Sequence, residues 1–141
     1  MKKFFLIIIA LLLLLTIVIL ADKTKEAKLK NIAFQLEIAD SAREKYKGLS
    51  GRNYLCGNCA MLFVFEDTKE RSFVMREMMI PIDILFINNG VITDVYKNLN
   101  PEGKEYSSYY DSSGPVDMVL EINSNYSDSY NINVGDNVNV Y

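Results

Sequence analysis

The stretch PIDILFINNGVITDVY, residues 81–96, predicts a β-hairpin at the centre of the chain. Two runs rich in β-branched and aromatic residues flank Asn88-Asn89-Gly90. Asn-Gly between two such runs is the strongest short-range signal for a hairpin. The hairpin therefore indicates a mainly β chain, and shorter strand patterns lie on both sides of it.

Five further strands are predicted outward from the hairpin. MLFVF (61–65) is a fully apolar run typical of a buried strand, and RSFVM (71–75) predicts another. Apolar residues alternate along NIAFQLEIA (31–39) and PVDMVLEI (115–122), as they do in strands with one buried face. A last strand is predicted around the Gly135–Asp136 turn.

One short helix is predicted before the apolar run. Ser41 and Glu44 have the spacing of a capping box and Gly48 supplies a stop, so about two helical turns fit. Residues 98–115 predict a polar loop, and residues 124–131 fit a loop or a short helix. These short strands with a single helix predict a small antiparallel sandwich or open barrel.

Several motifs stand in a characteristic order along the chain: Gly48-Leu49-Ser50-Gly51-Arg52, Met61–Phe65, Ser72–Arg76, Pro81–Ile87, Val119–Glu121 and Gly135–Asp136. This order resembles the domain of unknown function 192 family over about residues 32–140. The resemblance implies a small β-rich fold related to jelly-roll sandwiches. It also implies a domain that is often exported or membrane-anchored and has no established activity.

Two departures from the family pattern concern candidate functional residues. Residues 74–78 read Val-Met-Arg-Glu-Met where the family has Trp-Met-Lys-Asn-Thr, so the methionine and the cation are kept, as Met75 and Arg76, whereas the planar aromatic, the amide and the hydroxyl are lost. Many relatives carry two cysteines in the long loop before the Val-Leu-Glu strand, whereas here the pair is Cys56 and Cys59. If the segment that corresponds to residues 74–78 is a ligand site in the family, the resemblance implies that this chain has a changed site or has lost it.

The N-terminus predicts a membrane segment. Lys2 and Lys3 precede an uncharged apolar run, residues 4–21, whose 18 residues would span about 27 Å as a helix. This length is close to the roughly 30 Å of a bilayer's hydrocarbon. Residues 1–21 are therefore predicted to be an uncleaved anchor, with a cleaved signal peptide as the alternative.

Residues 22–30 predict a charged linker, and residues 31–141 predict the β-domain. Lysines stand on both sides of the apolar run, so the positive-inside rule does not decide the orientation. A short basic N-terminus before an apolar run still favours export. We therefore expect a single-pass membrane protein with an extracytoplasmic domain.

Composition excludes several function classes. Residues 22–141 contain 13 basic and 18 acidic residues, a net charge of −5, so nucleic acid is not an expected partner. The chain has no histidine, which excludes Ser-His-Asp and Cys-His catalysis. Two cysteines without histidine cannot complete a zinc site in one chain unless carboxylates or a dimer contribute, and we predict no metal and no cofactor.

Cys56 and Cys59, in CGNC, leave three alternatives open: a disulfide that tightens a loop, a redox-active pair, or metal-binding or free thiols. A redox pair needs a nucleophilic thiolate, usually at a helix N-terminus beside a βαβ core. This pair lies in a loop that leads into a strand. A disulfide is favoured in an exported domain.

Arg76, Asp83 and Glu121 are charged residues at motif positions in apolar surroundings. A structural ion-pair network is the favoured interpretation. The alternative is a site in which Asp83 and Glu121 act as paired acid and base on a glycan or similar polar substrate. No catalytic residue is assigned.

Tyr106, Tyr109, Tyr110 and Tyr126 lie among Ser, Asn, Asp and Gly residues. This composition suits a recognition loop, because Tyr offers rigid amphipathic area and the small polar residues adapt their hydrogen bonds. Ordinary solvated loops are the simpler alternative. Asn125-Tyr126-Ser127 is an N-glycosylation sequon, meaningful only for a domain exported in a host that glycosylates.

These features predict a membrane-anchored extracytoplasmic β-domain that acts as a non-catalytic binding or envelope-associated module. Its partners would be the membrane, through residues 4–21, and a glycan or another envelope component. One alternative is a carboxylate-based enzyme acting on a glycan or similar polar substrate. A second is thiol–disulfide exchange through the CGNC pair.

Overall fold

The computed structural model describes residues 8–9 and 25–141. Within residues 25–141 the chain forms nine strands and two short helices. Their order is β1 (Lys25–Leu29), β2 (Ile32–Ala39), α1 (Ala42–Lys47), β3 (Cys59–Lys69), β4 (Ser72–Phe73), β5 (Ile82–Asn88), β6 (Val91–Leu99), β7 (Tyr110–Asp111), β8 (Val116–Asn123), α2 (Tyr126–Ser129) and β9 (Val138–Val140).

Seven strands form one curled sheet in the order β6-β5-β8-β3-β2-β1-β9, and β4 pairs with β7 in a small second sheet. The two edges of the large sheet approach each other at one end. There the Ile92 N–H donates to the Asp136 carbonyl (2.9 Å), and the Val138 N–H donates to the Gly90 carbonyl (2.8 Å). The sheet is therefore a half-barrel, and the mainly β prediction is confirmed.

One strand pair differs from the antiparallel prediction. β2 and β3 run parallel, with Leu36 opposite Ala60. A parallel pair needs a long crossover connection, usually through a helix, and residues 40–58, which contain α1, supply it. α2 is a second helix beyond the single one predicted, formed in the segment for which the sequence leaves loop and helix both open.

The predicted hairpin and the capping box are both present. β5 and β6 pair around a turn in which Asn89 and Gly90 have φ values of 50° and 75°. In α1 the Ser41 hydroxyl accepts from the Glu44 N–H (3.3 Å), and the Glu44 carboxylate accepts from the Ser41 N–H (3.0 Å). These two short-range signals give the local structure that they predict.

Apolar clusters cover both faces of the large sheet. Because successive strand residues point to opposite faces, Leu85 and Ile87 join the cluster inside the curl, whereas Ile84 and Phe86 join the outer cluster. The inner cluster draws side chains from all seven strands of the sheet. The outer cluster is completed by residues outside that sheet, among them Leu49, Leu55, Met75 and Met78. The central strands are thus buried on both faces, which explains their unbroken apolar runs.

Residues 25–29 of the predicted charged linker form a strand. Ala27 and Leu29 are fully buried, and β1 pairs with β2 and β9. Only two apolar side chains alternate with charged ones here, so the alternation is too short to predict a strand from the sequence. The predicted 71–75 strand shortens to β4, and the predicted polar loop at 98–115 contains β7.

In the part of the chain that the structure describes, no helix is long and apolar enough to cross a bilayer. The anchor predicted for residues 1–21 lies outside the described residues, apart from Ile8 and Ile9. The anchor therefore stays a prediction.

Candidate functional site

An open cleft of about 550 Å³ lies at the outer apolar cluster. α1 and the turn after it contribute residues 45–50, and β3 contributes Phe63 and Phe65. The remaining lining comes from side chains between Glu70 and Met78, from Tyr106 and Tyr109, and from Glu121 of β8. Five parts of the sequence thus meet at one concave surface.

Glu121 is the buried carboxyl of this cleft. It lies on a central strand opposite Met61 of β3 and Ile84 of β5, and it is only 4% exposed. Its Oε2 atom has no hydrogen-bond partner among the described residues. Loss of solvation raises the pKa of Glu121 to about 8, with the positive charge of Arg52 acting in the opposite direction. Burial therefore favours the neutral, protonated form of the side chain, which has a proton to donate and an oxygen to accept.

Gly48 leaves space beside this carboxyl. Its φ of +50° strains any other residue. A Cβ atom at this position would lie 3.4 Å from the Phe63 ring and 3.8 Å from Oε2 of Glu121. The glycine thus ends α1 and also keeps the approach to Glu121 free of a side chain.

Arg76 is the cation that the structure places in the same cleft. Its guanidinium carbon lies 3.9 Å from the centroid of the Tyr46 ring, and Nη2 donates to the Tyr46 carbonyl (2.7 Å). Its Nε atom is buried and has no acceptor within the described residues. The side chain is therefore held in place by α1 without being neutralised there.

A second arginine, which the sequence gives no reason to select, also lines the cleft. The guanidinium carbon of Arg71 lies 3.9 Å from the centroid of the Phe65 ring, and Lys45 Nζ lies 5.0 Å from the same centroid. Arg71 also pairs with Asp67. The Phe65 ring therefore contacts two cations at the cleft. No local sequence motif predicts this arrangement.

Tyr106 and Tyr109 lie on a loop that is docked against the cleft. The Glu102 carboxylate accepts from the Ser108 hydroxyl and from the Ser107 N–H (3.0 Å), and these hydrogen bonds, chiefly the one from Ser108, lower the pKa of Glu102. The backbone N–H of Glu102 donates to the Met75 carbonyl (3.0 Å). The two tyrosine rings contact each other at a centroid distance of 5.7 Å. Half of the predicted recognition loop thus belongs to the candidate site.

Tyr110 and Tyr126 pack elsewhere. Tyr110 belongs to β7 and contacts Tyr96 at a ring-centroid distance of 5.3 Å. Tyr126 begins α2 and packs beside Phe34 (6.2 Å) against the inner cluster. Neither residue lines the cleft.

Asp83 does not join Arg76 and Glu121. It is fully buried, and its two carboxylate oxygens accept from the backbone N–H groups of Asn98 and Ser127, both at 2.8 Å. α2 has no side-chain cap of its own, so Asp83 satisfies an N–H group in its first turn. The predicted charged cluster is therefore divided between a cleft and a structural anchor.

The Sγ atoms of Cys56 and Cys59 lie 2.00 Å apart, a disulfide distance. The pair is outside the cleft, immediately before and at the start of β3. The Cys56 carbonyl accepts from the Cys59 N–H (3.0 Å) and from the Asn123 side chain (2.8 Å). The surrounding hydrogen bonds connect the CGNC turn to the end of β8.

The predicted glycosylation sequon has an exposed asparagine and a buried serine. Asn125 is exposed with a φ of 67°, whereas the sequon residue Ser127 is fully buried. Within the described residues there is no group of three or more His, Cys, Asp and Glu side chains that could hold a metal ion.

The chain is similar to one protein family and to two solved structures. The sequence model of DUF192, described as an uncharacterized ACR, matches residues 23–140. A Sinorhizobium meliloti structure, described as that of a candidate transcription regulator, is 27% identical with a TM-score of 0.75, covering 82% of this chain and 93% of its own. A Novosphingobium aromaticivorans protein of unknown function is also 27% identical, with a TM-score of 0.74 and coverages of 82% and 83%. No curated protein matches the sequence.

Proposed function

The chain belongs to the DUF192 family, whose role is uncharacterized, and we propose that its β-domain is a non-catalytic module that binds a small ligand in the cleft. The observation that carries the proposal is the Oε2 atom of Glu121, buried in the lining of the cleft without a partner in the described structure. A bound ligand would supply the missing hydrogen bond.

The energetics of Glu121 support a ligand. A buried polar group without a partner costs about 1–3 kcal/mol, so such groups are rare unless they have a role. The cleft volume of about 550 Å³ lies within the range of small-molecule sites, which combine apolar and aromatic walls with a few convergent polar groups. Phe63, Phe65 and Phe73 supply such walls here.

The position of Asp83 supports a module without paired-carboxylate catalysis. Glycoside hydrolysis commonly uses two carboxyl groups on either side of the scissile bond, about 5–9.5 Å apart in one cleft. Asp83 lies on the opposite face of the sheet from Glu121 and uses both oxygens for backbone N–H groups. The pair therefore has no common substrate to act on.

The proposed location is the extracytoplasmic face of a membrane, with residues 4–21 as the anchor and a glycan or another envelope component as the source of the ligand. The apolar run of 18 residues supports the anchor. A disulfide between Cys56 and Cys59, the favoured interpretation of the CGNC pair, is the kind of bond that persists in an oxidising compartment.

The description of the Sinorhizobium meliloti structure as a regulator does not lead us to propose DNA binding here. Residues 25–141 contain 12 basic and 17 acidic residues. DNA-binding surfaces neutralise phosphates with a basic patch, and an acidic domain gives that role no electrostatic support.

The test is a titration of the full chain in lipid nanodiscs, with methyl-labelled methionines observed by NMR. The probes are phenylacetate, 2-phenylethanol and 2-phenylethylamine, with free concentrations measured by dialysis because the ring partitions into lipid. We expect a saturable shift of the methyl group of Met78, which lines the cleft. Met118, which packs against the inner cluster, is the internal control and stays unchanged. The proposal is wrong if no probe produces a saturable shift at Met78.

A further inference from the structure

The charge of the cleft is opposite in sign to that of the domain around it. Residues 25–141 contain 12 basic and 17 acidic residues. The lining of the cleft contains four basic residues, Lys45, Lys47, Arg71 and Arg76, and two acidic ones, Glu70 and Glu121. A concave surface of one sign with apolar walls focuses the field and raises the local concentration of ions of the opposite sign. Although Arg71 is paired with Asp67, Lys45, Lys47 and Arg76 remain to give the cleft a positive charge that attracts anions.

Arg76 is the cation best placed to bind one. No carboxylate of the described chain lies within ion-pair distance of it, in contrast to Arg52, which pairs with Glu37 (2.5 Å). The Tyr46 ring and carbonyl hold the guanidinium in position, and the Nε atom is left without an acceptor in residues 25–141. A fixed guanidinium with a free N–H suits a carboxylate or a phosphate.

Glu121 does not oppose an anion in its neutral form. A protonated carboxyl donates an O–H hydrogen bond, and its bond to an anionic oxygen is among the stronger ones. It is 4% exposed on its strand and lines the cleft, so a ligand in the cleft is the group placed to accept this bond. Glu121 and Arg76 both line the cleft, and both are donors to an anionic group bound there.

The apolar lining describes the rest of the ligand. Phe63 and Phe73 meet edge to face at 4.9 Å, and Phe73 meets Phe86 in the same way at 5.7 Å. Such packing holds the rings in fixed orientations. A ligand with a flat apolar part would fit against these rings while its charged end reaches the cation.

We propose that the ligand is a small organic anion, with a carboxylate or phosphate group bound by Arg76 and Glu121 and a flat apolar part packed against Phe63, Phe65 and Phe73. This inference rests on the proposed binding function and specifies the chemical class of its ligand. The shared chemistry is an anionic group beside a ring, whatever molecule supplies it.

The experiment compares the three probes in the same methionine NMR titration at pH 6.5. They share a phenyl ring and differ in charge. We expect phenylacetate to bind at least about fivefold more tightly than 2-phenylethanol, because a charge-assisted hydrogen bond is about twice as strong as a neutral one. We expect 2-phenylethylamine to bind most weakly.

Arg76→Gln is the test variant, and Arg43→Gln is the matched control because Arg43 is an exposed residue of α1 that does not line the cleft. Arg76→Gln should weaken phenylacetate binding about tenfold, as expected for the loss of a charge-assisted pair. Its Kd for 2-phenylethanol should stay within twofold of the parent value, which shows that the cleft is still formed. Arg43→Gln should leave both values unchanged.

The outcomes separate this inference from the proposed function. Equal binding of the three probes, or tightest binding of the amine by an ionised Glu121, would overturn the anionic ligand and leave the binding module standing. A selective phenylacetate shift at Met78 that Arg76→Gln does not weaken would also overturn it. Absence of binding by all three probes would overturn both proposals.

Discussion

Asp83 and Glu121 lie on adjacent antiparallel strands and face opposite sides of the sheet. Asp83 is paired with Ile122 of the inner cluster, and Glu121 is paired with Ile84 of the outer cluster. One carboxylate uses both oxygens to hold backbone N–H groups, whereas the other has a buried oxygen with no partner in the described structure. The first therefore stabilises the fold, and the second is available to a ligand.

Asp83→Asn should destabilise the domain and leave the cleft intact. The amide keeps one acceptor but turns an NH₂ group toward either the Asn98 or the Ser127 N–H. An unsatisfied buried donor pair of this kind costs about 1–3 kcal/mol. The free energy of unfolding is measured by urea titration of the full chain, with Asp111→Asn, at an exposed position, as the control. Unchanged stability together with lost phenylacetate binding would contradict the structural role of Asp83.

Glu121 should make stability fall as pH rises. Its folded pKa of about 8 is higher than its ordinary value of 4.5. Between these values the folded state keeps a proton that the unfolded state releases. The free energy of unfolding therefore decreases with rising pH by up to about 1.4 kcal/mol per pH unit, and it levels off above pH 8. The contribution of Glu121 to the free energy of unfolding is fully present only below about pH 4.5, and it is lost as the pH rises through about 8.

Urea unfolding at pH 5, 6, 7 and 8 measures this slope, and Glu121→Gln is the matched variant because its amide is similar in size and does not titrate. The chain contains no histidine, and Asp128 and Asp136 have lowered pKa values, so these groups change little in this window. We expect the variant to lose most of the slope. Parallel slopes for the parent and the variant would show that Glu121 is ionised in the folded state.

Local signals in the sequence predict most of the strands, but not the site. The Asn89-Gly90 turn and the Ser41–Glu44 box depend on residues close together in sequence, and both are present. β1 was hidden because only Ala27 and Leu29 alternate among its charged neighbours. Which face Asp83 or Glu121 occupies depends on the register between β5 and β8, two strands separated by a long connection. Alternation along one strand does not determine that register.

The cleft itself follows from tertiary packing. Arg71 and Tyr46 lie in segments without a recognisable binding motif, and both become part of the site only when α1 and β4 cover the outer cluster. Gly48 belongs to a turn motif that the sequence explains as a helix stop. Its second effect, the space beside Glu121, depends on β8 lying underneath. No single-sequence pattern carries that information.

The apolar run at residues 4–21 should hold the full chain in a membrane. Expressed in a bacterial host, the parent chain is expected in the membrane pellet after alkaline extraction, at its uncleaved mass. Leu13→Arg with Leu14→Arg should shift it to the supernatant, because each arginine near the centre of a helix costs about 2.5–3.5 kcal/mol on insertion.

Protease added to cells with a permeabilised outer envelope should digest the domain if it is extracytoplasmic. Protection from protease would place the domain on the cytoplasmic side, and a mass reduced by the N-terminal segment would identify a signal peptide.

The Cys56–Cys59 pair should behave as a structural disulfide. The CGNC turn leads into β3 and not into a helix, so neither sulfur receives the help of a helix N-terminus that lowers the pKa of catalytic thiols. We expect a reduction potential below about −300 mV, measured by alkylation and mass spectrometry across dithiothreitol buffers. Cys56→Ser with Cys59→Ser should reduce the free energy of unfolding by less than the ~3 kcal/mol of a 15-residue loop, because the closed ring is short. This double variant should bind phenylacetate as the parent does, since neither cysteine lines the cleft. A potential between about −120 and −230 mV, the range of dedicated thiol oxidoreductases and isomerases, would instead make the CGNC turn a site of thiol–disulfide exchange.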